Sequence, residues 1–352
     1  MTDPKTQIFL DHKGAIYGLA YRMLGGRADA DDIVQEVALR WAKFDDWHTL
    51  KTPKSWLLTV ASRLSIDQLR RAYRSRETYV GPWLPEPIDS EEPLVPSAAP
   101  SADDRLDRAE TLSMAIMTLM DELGPEERVA LLLHDVFDLD FRAVADALGK
   151  SDSAVRQMAS RARKRLRAGT PRPHALDEQA KDLLSAFFEA SQSGNREKLL
   201  QLMAPDITLI SDGGGKARAS LRPLYGVDDV LTVWASVAEK QQGHVAMTFA
   251  NLNNQPAILI KDKTDGLMSA ILLTVNDRAV THIHIVRRSV PSPAARRAGR
   301  KRAKRNISHP SAGRGIRHAA DRRPPRSSGP VDAARHRGLP APRRQPRTRP
   351  GG

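Results

Sequence analysis

The hydrophobic pattern in the first half of the chain is that of amphipathic helices. Apolar residues recur at helical spacing over residues 8–76 and again over residues 103–167. Six prolines fall within residues 78–100, which excludes a continuous helix or a paired strand there. Prolines return at 171–173, after the second helical stretch. The pattern therefore predicts two helical modules joined by a linker, with a further boundary near residue 171.

The periodicity changes in the second half of the chain. Residues 177–203 still read as two helices, but the apolar runs that follow have the length and composition of strands, at 207–210, 245–249, 257–260, 268–275 and 280–286. Helices followed by a series of strands predict an α+β domain. Beyond residue 289 arginine, proline, alanine, glycine and serine dominate. That composition cannot bury enough apolar surface to offset its ordering entropy, so we expect a disordered tail.

The length of 352 residues and a hydrophobic content of 40% suit several domains rather than one. The predicted fold is multidomain: two all-α modules, a C-terminal α+β domain and a disordered basic tail. The predicted division is 5–77 for the first module, 78–104 for the linker, 105–170 for the second module, 174–288 for the α+β domain and 289–352 for the tail.

Composition excludes several classes of protein. The chain has no cysteine, so a disulfide framework and a thiolate metal site are excluded. No apolar run approaches the roughly 18 residues that a membrane span needs, and the N-terminus lacks the pattern of a secretion signal. We therefore expect a cytoplasmic protein with no membrane partner.

The formal charge of +13 is concentrated at one end of the chain. Residues 287–352 hold 20 Lys and Arg against Asp321 and Asp332, a net charge of +18, which leaves −5 for residues 1–286. The overall basicity therefore describes the tail. Nucleic-acid binding by the helical modules has to be inferred from local patches.

Two faces of the first module carry candidate chemistry. Wound as a helix, residues 29–36 place Asp29, Asp32 and Glu36 on one face with Gln35 beside them, next to an apolar stripe of Ile33, Val37 and Trp41. Such an acidic face suits a partner protein, although it is equally typical of any solvated helix. Farther along, one helical face combines basic residues with one carboxylate, namely Arg63, Asp67, Arg70 and Arg74, with Arg71 at its edge. This combination suits phosphates and base edges, but a merely solvated face remains open.

The second module carries a sharper pattern. Residues 141–148 form a short predicted helix, Gly149 suits its left-handed end, and Ser151 is a candidate N-cap for the next helix. In that next helix Val155, Ala159, Ala162 and Leu166 form a narrow apolar stripe. Opposite it lie Gln157, Ser160, Arg161 and Lys164, flanked by Arg156, Arg163 and Arg165. This pattern predicts a helix-turn-helix whose second helix enters the major groove; a basic three-helix bundle without a ligand is the alternative.

These segments resemble a known family. Four segments resemble regions two and four of the extracytoplasmic-function (ECF) sigma factors of the sigma-70 family. They are DADDIVQE at 29–36, PKSWLLTVASRLSIDQLRR at 53–71, LGPEERVALLLHDVF at 123–137 and SDSAVRQMASRARKRLR at 151–167. The linker YVGPWLPEP at 79–87 and the turn DGGGK at 212–216 resemble the subgroup with a C-terminal SnoaL-like, or NTF2-like, cone domain. That subgroup typically ends its last strand with an NPDKL-like motif, whereas here RRSVPSPAARRAG follows Val286.

The resemblance implies roles for these residues and no catalytic activity. The clamp helices of the β′ subunit of core RNA polymerase would be bound by Asp29, Asp32, Gln35 and Glu36. The β subunit of core polymerase would be a second partner. Promoter DNA would be contacted at the −10 element by Arg63, Asp67, Arg70, Arg71 and Arg74, and at the −35 element by Ser151, Ser153, Arg156, Gln157, Ser160, Arg161 and Lys164. Regulation in cis by the cone domain would involve Tyr79, Trp83, Asp212, Gly213, Gly214, Gly215 and Lys216.

Two other functions stay open at this point. The chain could be a DNA-binding regulator that does not engage polymerase, which the acidic helix argues against. It could also be an enzyme, since some cone-domain relatives are cyclases or isomerases with a pocket Asp or His as general base; the candidates are Asp206, Asp212, His244, His282 and His284. His282 and His284 share one side of a strand and could form a metal pair, but no third ligand is evident. We expect no cofactor and no resident metal, and an unidentified small ligand in the cone as the remaining candidate partner.

Overall fold

A computed structural model of the chain describes residues 3–76, 81–90, 110–169, 178–214, 220–241, 245–262, 268–276 and 279–288. The predicted tail at 289–352 lies outside the described residues, as do Tyr79, Gly215, Lys216 and His244. Within the described ranges, none of the helices has the length and apolar character needed to cross a membrane.

The first helical module consists of α1 (Pro4–Leu24), α2 (Arg27–Ala42) and α3 (Pro53–Arg76), with a 3₁₀ turn at Asp45–Thr49. Helix α1 begins where the Asp3 carboxylate accepts the Thr6 N–H, and Pro4 occupies its first turn. It ends at Gly25, whose φ of 72° gives the left-handed cap that favours glycine. The predicted apolar stripe of α2 is confirmed, because Ile33, Val37 and Trp41 are all buried.

The second helical module consists of α4 (Met114–Met120), α5 (Pro125–Leu131), a π-turn at Leu132–Val136, α6 (Phe141–Leu148) and α7 (Asp152–Gly169). Gly149 ends α6 with a φ of 63°, as predicted. The Ser151 hydroxyl accepts the Ala154 N–H at 3.3 Å, so Ser151 caps α7, also as predicted. Helices α6 and α7 with the turn between them form the predicted helix-turn-helix.

The C-terminal domain is α+β, as predicted. Helices α8 (Glu178–Ser193), α9 (Arg196–Leu202) and α10 (Val227–Gln241) accompany one six-stranded sheet in the order β2-β1-β6-β5-β4-β3. The strands are β1 (Met203–Asp212), β2 (Leu224–Tyr225), β3 (Val245–Leu252), β4 (Gln255–Asp262), β5 (Met268–Val275) and β6 (Val280–Arg288). Strands β1 and β6 pair in parallel and the other neighbours are antiparallel. This mixed sheet with three helices is the architecture that the resemblance to NTF2-like domains implies.

Three clusters of buried side chains hold the described residues together. One continuous core joins both helical modules, with Ile16 and Leu57 from the first and Leu131 and Phe137 from the second. A second core lies between the sheet and the helices of the C-terminal domain. The third covers the opposite face of the sheet, where Leu84 of the linker and Met114 of α4 pack against strand residues including Leu252, Leu272 and Val286. The linker and the second module therefore dock on the face of the sheet that α8–α10 leave open.

Candidate nucleic-acid and polymerase interface

Helix α7 separates an anchoring side from an exposed side. Val155, Ala159, Ala162 and Leu166 are at most 1% exposed, which confirms the predicted stripe. The side chains predicted to read DNA lie on the exposed side: Ser151, Ser153, Arg156, Gln157, Ser160, Arg161 and Lys164. The small residues in the stripe let α7 approach α5 closely, so its polar side stands clear of the module.

Arg156 is held in place at the start of α7. Its Nε lies 2.8 Å from Asp152 Oδ1, and its guanidinium lies over the Phe141 ring at 4.4 Å from the centroid. The Phe141 ring is itself stacked on His134, with ring centroids 3.8 Å apart. A guanidinium positioned by an aromatic ring and a carboxylate loses less side-chain entropy when it makes a bidentate contact to a base.

The turn region of the second module is fixed by a buried ion pair. Arg163 Nε on α7 lies 2.8 Å from Asp135 Oδ2 in the π-turn, and the Asp135 side chain is fully buried. At the start of α6 the Asp140 carboxylate accepts the Ala143 N–H at 2.7 Å. The ion pair fixes α7 on the π-turn and the cap fixes the start of α6, and neither contact uses residues of the exposed side of α7.

The acidic side of α2 is exposed at Asp32 and Gln35 and half-buried at Glu36 and Asp29. Glu36 pairs with Arg40 at 2.9 Å, one turn along the same helix. Asp29 instead accepts a hydrogen bond from Gln68 Nε2 on α3 at 2.7 Å, so it helps to hold α2 against α3.

One apolar side chain joins this acidic face. Leu39, one residue short of Arg40 and two turns after Asp32, is 58% exposed. Leu39 was not among the residues predicted from the sequence. The signal was present, because spacings of i+3, i+4 and i+7 from Asp32 place Gln35, Glu36 and Leu39 on one face. An exposed leucine within a charged patch is the arrangement expected of a protein-binding surface.

The arginine face of α3 lies against the second module. Arg63 donates from Nε to the Ala147 carbonyl at 3.0 Å and from a terminal nitrogen to the Asp146 carbonyl at 3.3 Å. These carbonyls end α6, where the helix dipole favours a cation. Arg70 pairs with Glu126 on α5 at 3.1 Å. Arg63 and Arg70, both predicted to contact the −10 element, are therefore bonded to the module that is predicted to read the −35 element.

Glu126 links this contact to the helix-turn-helix. Its other carboxylate oxygen lies 2.8 Å from Lys150 Nζ, in the turn between α6 and α7. Hydrogen bonding from Lys150, with the charges of Lys150 and Arg70, holds the pKa of Glu126 below its usual range. Asp67 and Arg71 are exposed on the same stretch of α3, and the side chain of Arg74 lies outside the described residues.

Two buried arginines cross the boundary between the helical modules. Arg128, only 2% exposed, donates to the Met23 carbonyl at the end of α1 at 2.7 Å and to the carbonyl of Met120, and it pairs with Asp121 at 2.7 Å. In the other direction Arg22 is 1% exposed and donates to the Thr111 hydroxyl at 2.9 Å. We call this packing of the first against the second module the closed arrangement.

The linker at 81–90 contacts the first module closely. The Glu86 N–H donates to the Gly25 carbonyl at 2.7 Å, and a Glu86 carboxylate oxygen accepts the Arg27 N–H at 3.0 Å. The Tyr21 hydroxyl donates to the Glu86 carbonyl at 2.7 Å. The Trp83 ring lies directly on Gly25, where the Cβ of any other residue would collide with it. This leaves glycine as the residue that fits between α1 and α2.

The same linker also contacts the C-terminal domain. Asp212, at the end of β1, is buried and accepts the Leu84 N–H through Oδ2 at 3.0 Å. Its other oxygen, Oδ1, accepts the Gly214 N–H at 2.8 Å. Gly214 has a φ of 59°, a conformation that favours glycine. Gly213 lies between them, so the described part of the DGGGK turn orients the carboxylate that holds the linker.

The candidate catalytic residues that the structure describes, namely Asp206, Asp212, His282 and His284, do not assemble a site. Asp212 is engaged by the linker, and His282 and His284 share the sheet face on which Leu84 and Met114 dock. Burial, together with the charge of His282, lowers the pKa of His284 to about 3, while burial lowers the pKa of His282 against a raising effect of Asp206. Among the described residues no group of three or more His, Cys, Asp or Glu side chains could hold a metal ion. A small ligand in the cone stays a prediction.

Comparison with known proteins agrees with the class of protein that these faces define, a helical promoter-binding protein with a helix-turn-helix. The family model for Sigma-70 region 2 matches residues 8–75, and the model for Sigma-70, region 4 matches residues 113–166. The ECF RNA polymerase sigma factor SigJ of Mycobacterium tuberculosis is 39% identical over 224 residues, which cover 61% of this chain and 67% of SigJ. The probable ECF sigma factor SigI of the same organism is 27% identical over 295 residues, covering 81% and 93% of the two chains.

The crystal structure of M. tuberculosis SigJ matches with a TM-score of 0.62 and 29% identity, covering 82% of this chain and 97% of that one. The chain belongs to the ECF sigma factors of the sigma-70 family. It is a non-catalytic initiation factor that binds core RNA polymerase and directs it to promoter DNA. The resemblance drawn from the sequence is confirmed, and the enzyme and the polymerase-independent regulator are set aside.

Proposed function

We propose that the C-terminal domain controls this sigma factor in cis by holding the linker, and through the linker the closed arrangement of the two promoter-binding modules. The observation that carries the proposal is the position of the linker. Its backbone is bonded to Gly25 and its Glu86 side chain to Arg27 in the first module, and on the other side it is bonded to Asp212 of the C-terminal domain. A change at either contact is transmitted to the other through a few residues of chain.

In the proposed docking mode, Asp29, Asp32, Gln35 and Glu36 bind the β′ clamp helices of core polymerase. Asp32 and Gln35 form the accessible centre of that surface, and Leu39 adds an apolar contact. Asp29 acts indirectly, because its bond to Gln68 fixes α2 on α3. The domain division proposed from the sequence is retained, with the linker acting as a bound segment rather than as a free tether.

Promoter contacts are divided between the two modules. Arg63, Asp67, Arg70, Arg71 and Arg74 address the −10 element, and the exposed side of α7 addresses the −35 element. Arg63 and Arg70 are bonded to the carbonyls of α6 and to Glu126 while their side chains stay exposed, so these bonds compete with contacts to DNA. In the proposed mechanism the closed arrangement opens when both modules bind the promoter, and core polymerase is the partner that opens it.

Replacing Arg156 or Gln157 with alanine is expected to weaken specific binding by about 1–3 kcal/mol for each base contact removed and to relax base preference in the −35 element. Lys164 lies two turns farther along α7, where a phosphate contact is expected, so Lys164→Ala should weaken binding to all sequences alike. The measurement is a binding titration of the holoenzyme against promoters selected from a randomised pool. Equal loss of specific and nonspecific affinity in Arg156→Ala would exclude a base-reading role.

Replacing Gly214 with valine is expected to change run-off transcription by the holoenzyme without changing the affinity of α7 for its −35 sequence. A β-branched residue at a φ of 59° is strained by about 1–3 kcal/mol, so the turn would move and Asp212 would lose the bond that aims it at Leu84. Gly194→Val is the matched control. Its φ is 66° and its surroundings are open, so the strain is similar, but Gly194 lies between α8 and α9, on the side of the sheet away from the linker. Equal transcription by wild type, Gly214→Val and Gly194→Val would refute control in cis.

A further inference from the structure

One turn of the C-terminal domain reaches both helical modules and the linker. Strands β3 and β4 are joined at Asn253 and Asn254, which have φ values of 54° and 56°. Two consecutive left-handed residues form the type I′ turn that matches the twist of a two-stranded hairpin, and asparagine tolerates this conformation. The turn is not at a free surface, because Asn253 is fully buried.

Asn253 forms hydrogen bonds to three different parts of the chain. To the linker, its N–H donates to the Ile88 carbonyl and its Oδ1 accepts the Ile88 N–H, both at 2.9 Å. To the first module, its side-chain nitrogen donates to the Tyr21 hydroxyl at 2.9 Å. To the second module, the same nitrogen donates to the Leu112 carbonyl at 2.9 Å. The side-chain amide thus uses both its donor nitrogen and its acceptor oxygen outside its own domain.

Neighbouring contacts reinforce this position. Tyr21, which accepts from Asn253, itself donates to the Glu86 carbonyl of the linker, so hydroxyl and amide form one chain of bonds. Two residues along the hairpin, Gln255 accepts the Met114 N–H at the start of α4 at 2.7 Å. Tyr21, Asn253 and Gln255 are all buried away from water. A buried amide that loses one partner leaves an unsatisfied group behind, so its bonds are made and broken together.

We propose that Asn253 is the positioning residue through which the C-terminal domain couples the linker, α1 and the start of the second module as one unit. This inference rests on the proposed control in cis and names the group that transmits it. The side chain that bonds the linker also donates hydrogen bonds to the Tyr21 hydroxyl and the Leu112 carbonyl. Dissociation of the linker from the C-terminal domain therefore loosens the contacts of both helical modules. The hairpin between β3 and β4 is therefore the element that keeps the closed arrangement together.

The test uses the full chain, which has no cysteine and so accepts two engineered labels. Spin labels at Lys13→Cys on α1 and Ala168→Cys on α7, both exposed, report the distance between the helical modules. Asn253→Gly keeps the left-handed turn and removes every side-chain bond. Tyr21→Phe removes the hydroxyl that accepts from Asn253 and donates to the Glu86 carbonyl of the linker. Asn251→Ala is the matched control, since Asn251 lies in the same hairpin and its side chain bonds the exposed Ser90 hydroxyl of the linker.

Asn253→Gly is expected to broaden the distance distribution and to raise the affinity of the free chain for a mixed-sequence DNA duplex about fivefold or more, because Arg63 and Arg70 are released. Tyr21→Phe should move both readouts in the same direction, and the double variant should do little more than Asn253→Gly alone. Asn251→Ala should leave both readouts at the wild-type value. A merely structural role would lower the melting temperature without this coupling.

An unchanged distance distribution in both Asn253→Gly and Tyr21→Phe overturns the assignment. Additive effects of the two substitutions also overturn it, because they mean that the contacts act separately. If Gly214→Val alters transcription while Asn253→Gly moves neither readout, control in cis stands and Asn253 does not transmit it. If neither substitution has an effect, both the proposed control and this assignment fail.

Discussion

Replacing Asp32 and Glu36 together with lysine is expected to abolish binding to core RNA polymerase. Asp32 is exposed and Glu36 is half-buried on the solvent side of α2, while the stripe that anchors the helix lies on the other side. Charge reversal therefore leaves the packing of α2 intact and puts like charges opposite a basic partner surface, at a cost on the order of several kcal/mol. The measurement is a titration of labelled core polymerase with the variant.

Asp45→Lys with Asp46→Lys is the matched control for this substitution. It reverses the same number of charges in the same module, on exposed residues of the 3₁₀ turn after α2. We expect this variant to bind core polymerase as the wild type does. Wild-type affinity in Asp32→Lys/Glu36→Lys would remove α2 from the polymerase interface. Equal loss in both variants would show that overall charge, and not the α2 face, is what polymerase recognises.

Replacing Arg128 with methionine is expected to lower the free energy of unfolding by about 3–5 kcal/mol, the usual cost of removing one member of a buried ion pair. The substitution takes the Arg128 cation away from the Asp121 carboxylate and its donors away from the carbonyls of Met23 and Met120. Met23 belongs to the first module, so the loss falls on the closed arrangement as well as on the second module itself. The measurement is denaturant unfolding of the full chain.

Arg161→Met serves as the control for Arg128→Met. Arg161 is also in the second module, but its side chain is 67% exposed and lies 3.9 Å from a carboxylate oxygen of Glu127. An exposed pair at this distance contributes about 0–1 kcal/mol. A loss in Arg128→Met no larger than in Arg161→Met would mean that the buried arginine does not hold the two modules together.

The local features of this protein follow from its sequence because they depend on neighbouring residues. The stripe of α7, the Gly149 turn and the Ser151 cap each involve residues a few positions apart, so each is set by helix geometry. Leu39 was missed although the same geometry placed it beside Glu36. Helix α10 (Val227–Gln241) was not predicted either, although its buried Val230, Leu231 and Trp234 recur at helical spacing.

The long-range contacts could not be read from spacing alone. The prolines of the linker predicted neither helix nor ladder pairing, and within residues 81–90 the one paired position is the isolated antiparallel bridge of Asp89 with Leu252. They did not indicate that Glu86 would bond the start of α2 or that Ile88 would pair with Asn253. Arg63 and Arg70 were identified as a DNA-binding face, and their engagement by the second module depends on how helices far apart in the sequence meet. Such contacts depend on tertiary packing, for which one sequence carries no periodic signal.

The most direct test of the central claim, that the free sigma factor is closed and opens on polymerase, is the distance between labels at Lys13→Cys and Ala168→Cys. It is measured in the full chain alone and after addition of core polymerase and promoter DNA. We predict one narrow, short distribution for the free chain, which moves to longer distances in the complex. A broad distribution in the free chain, or the same narrow one in the complex, would contradict the claim.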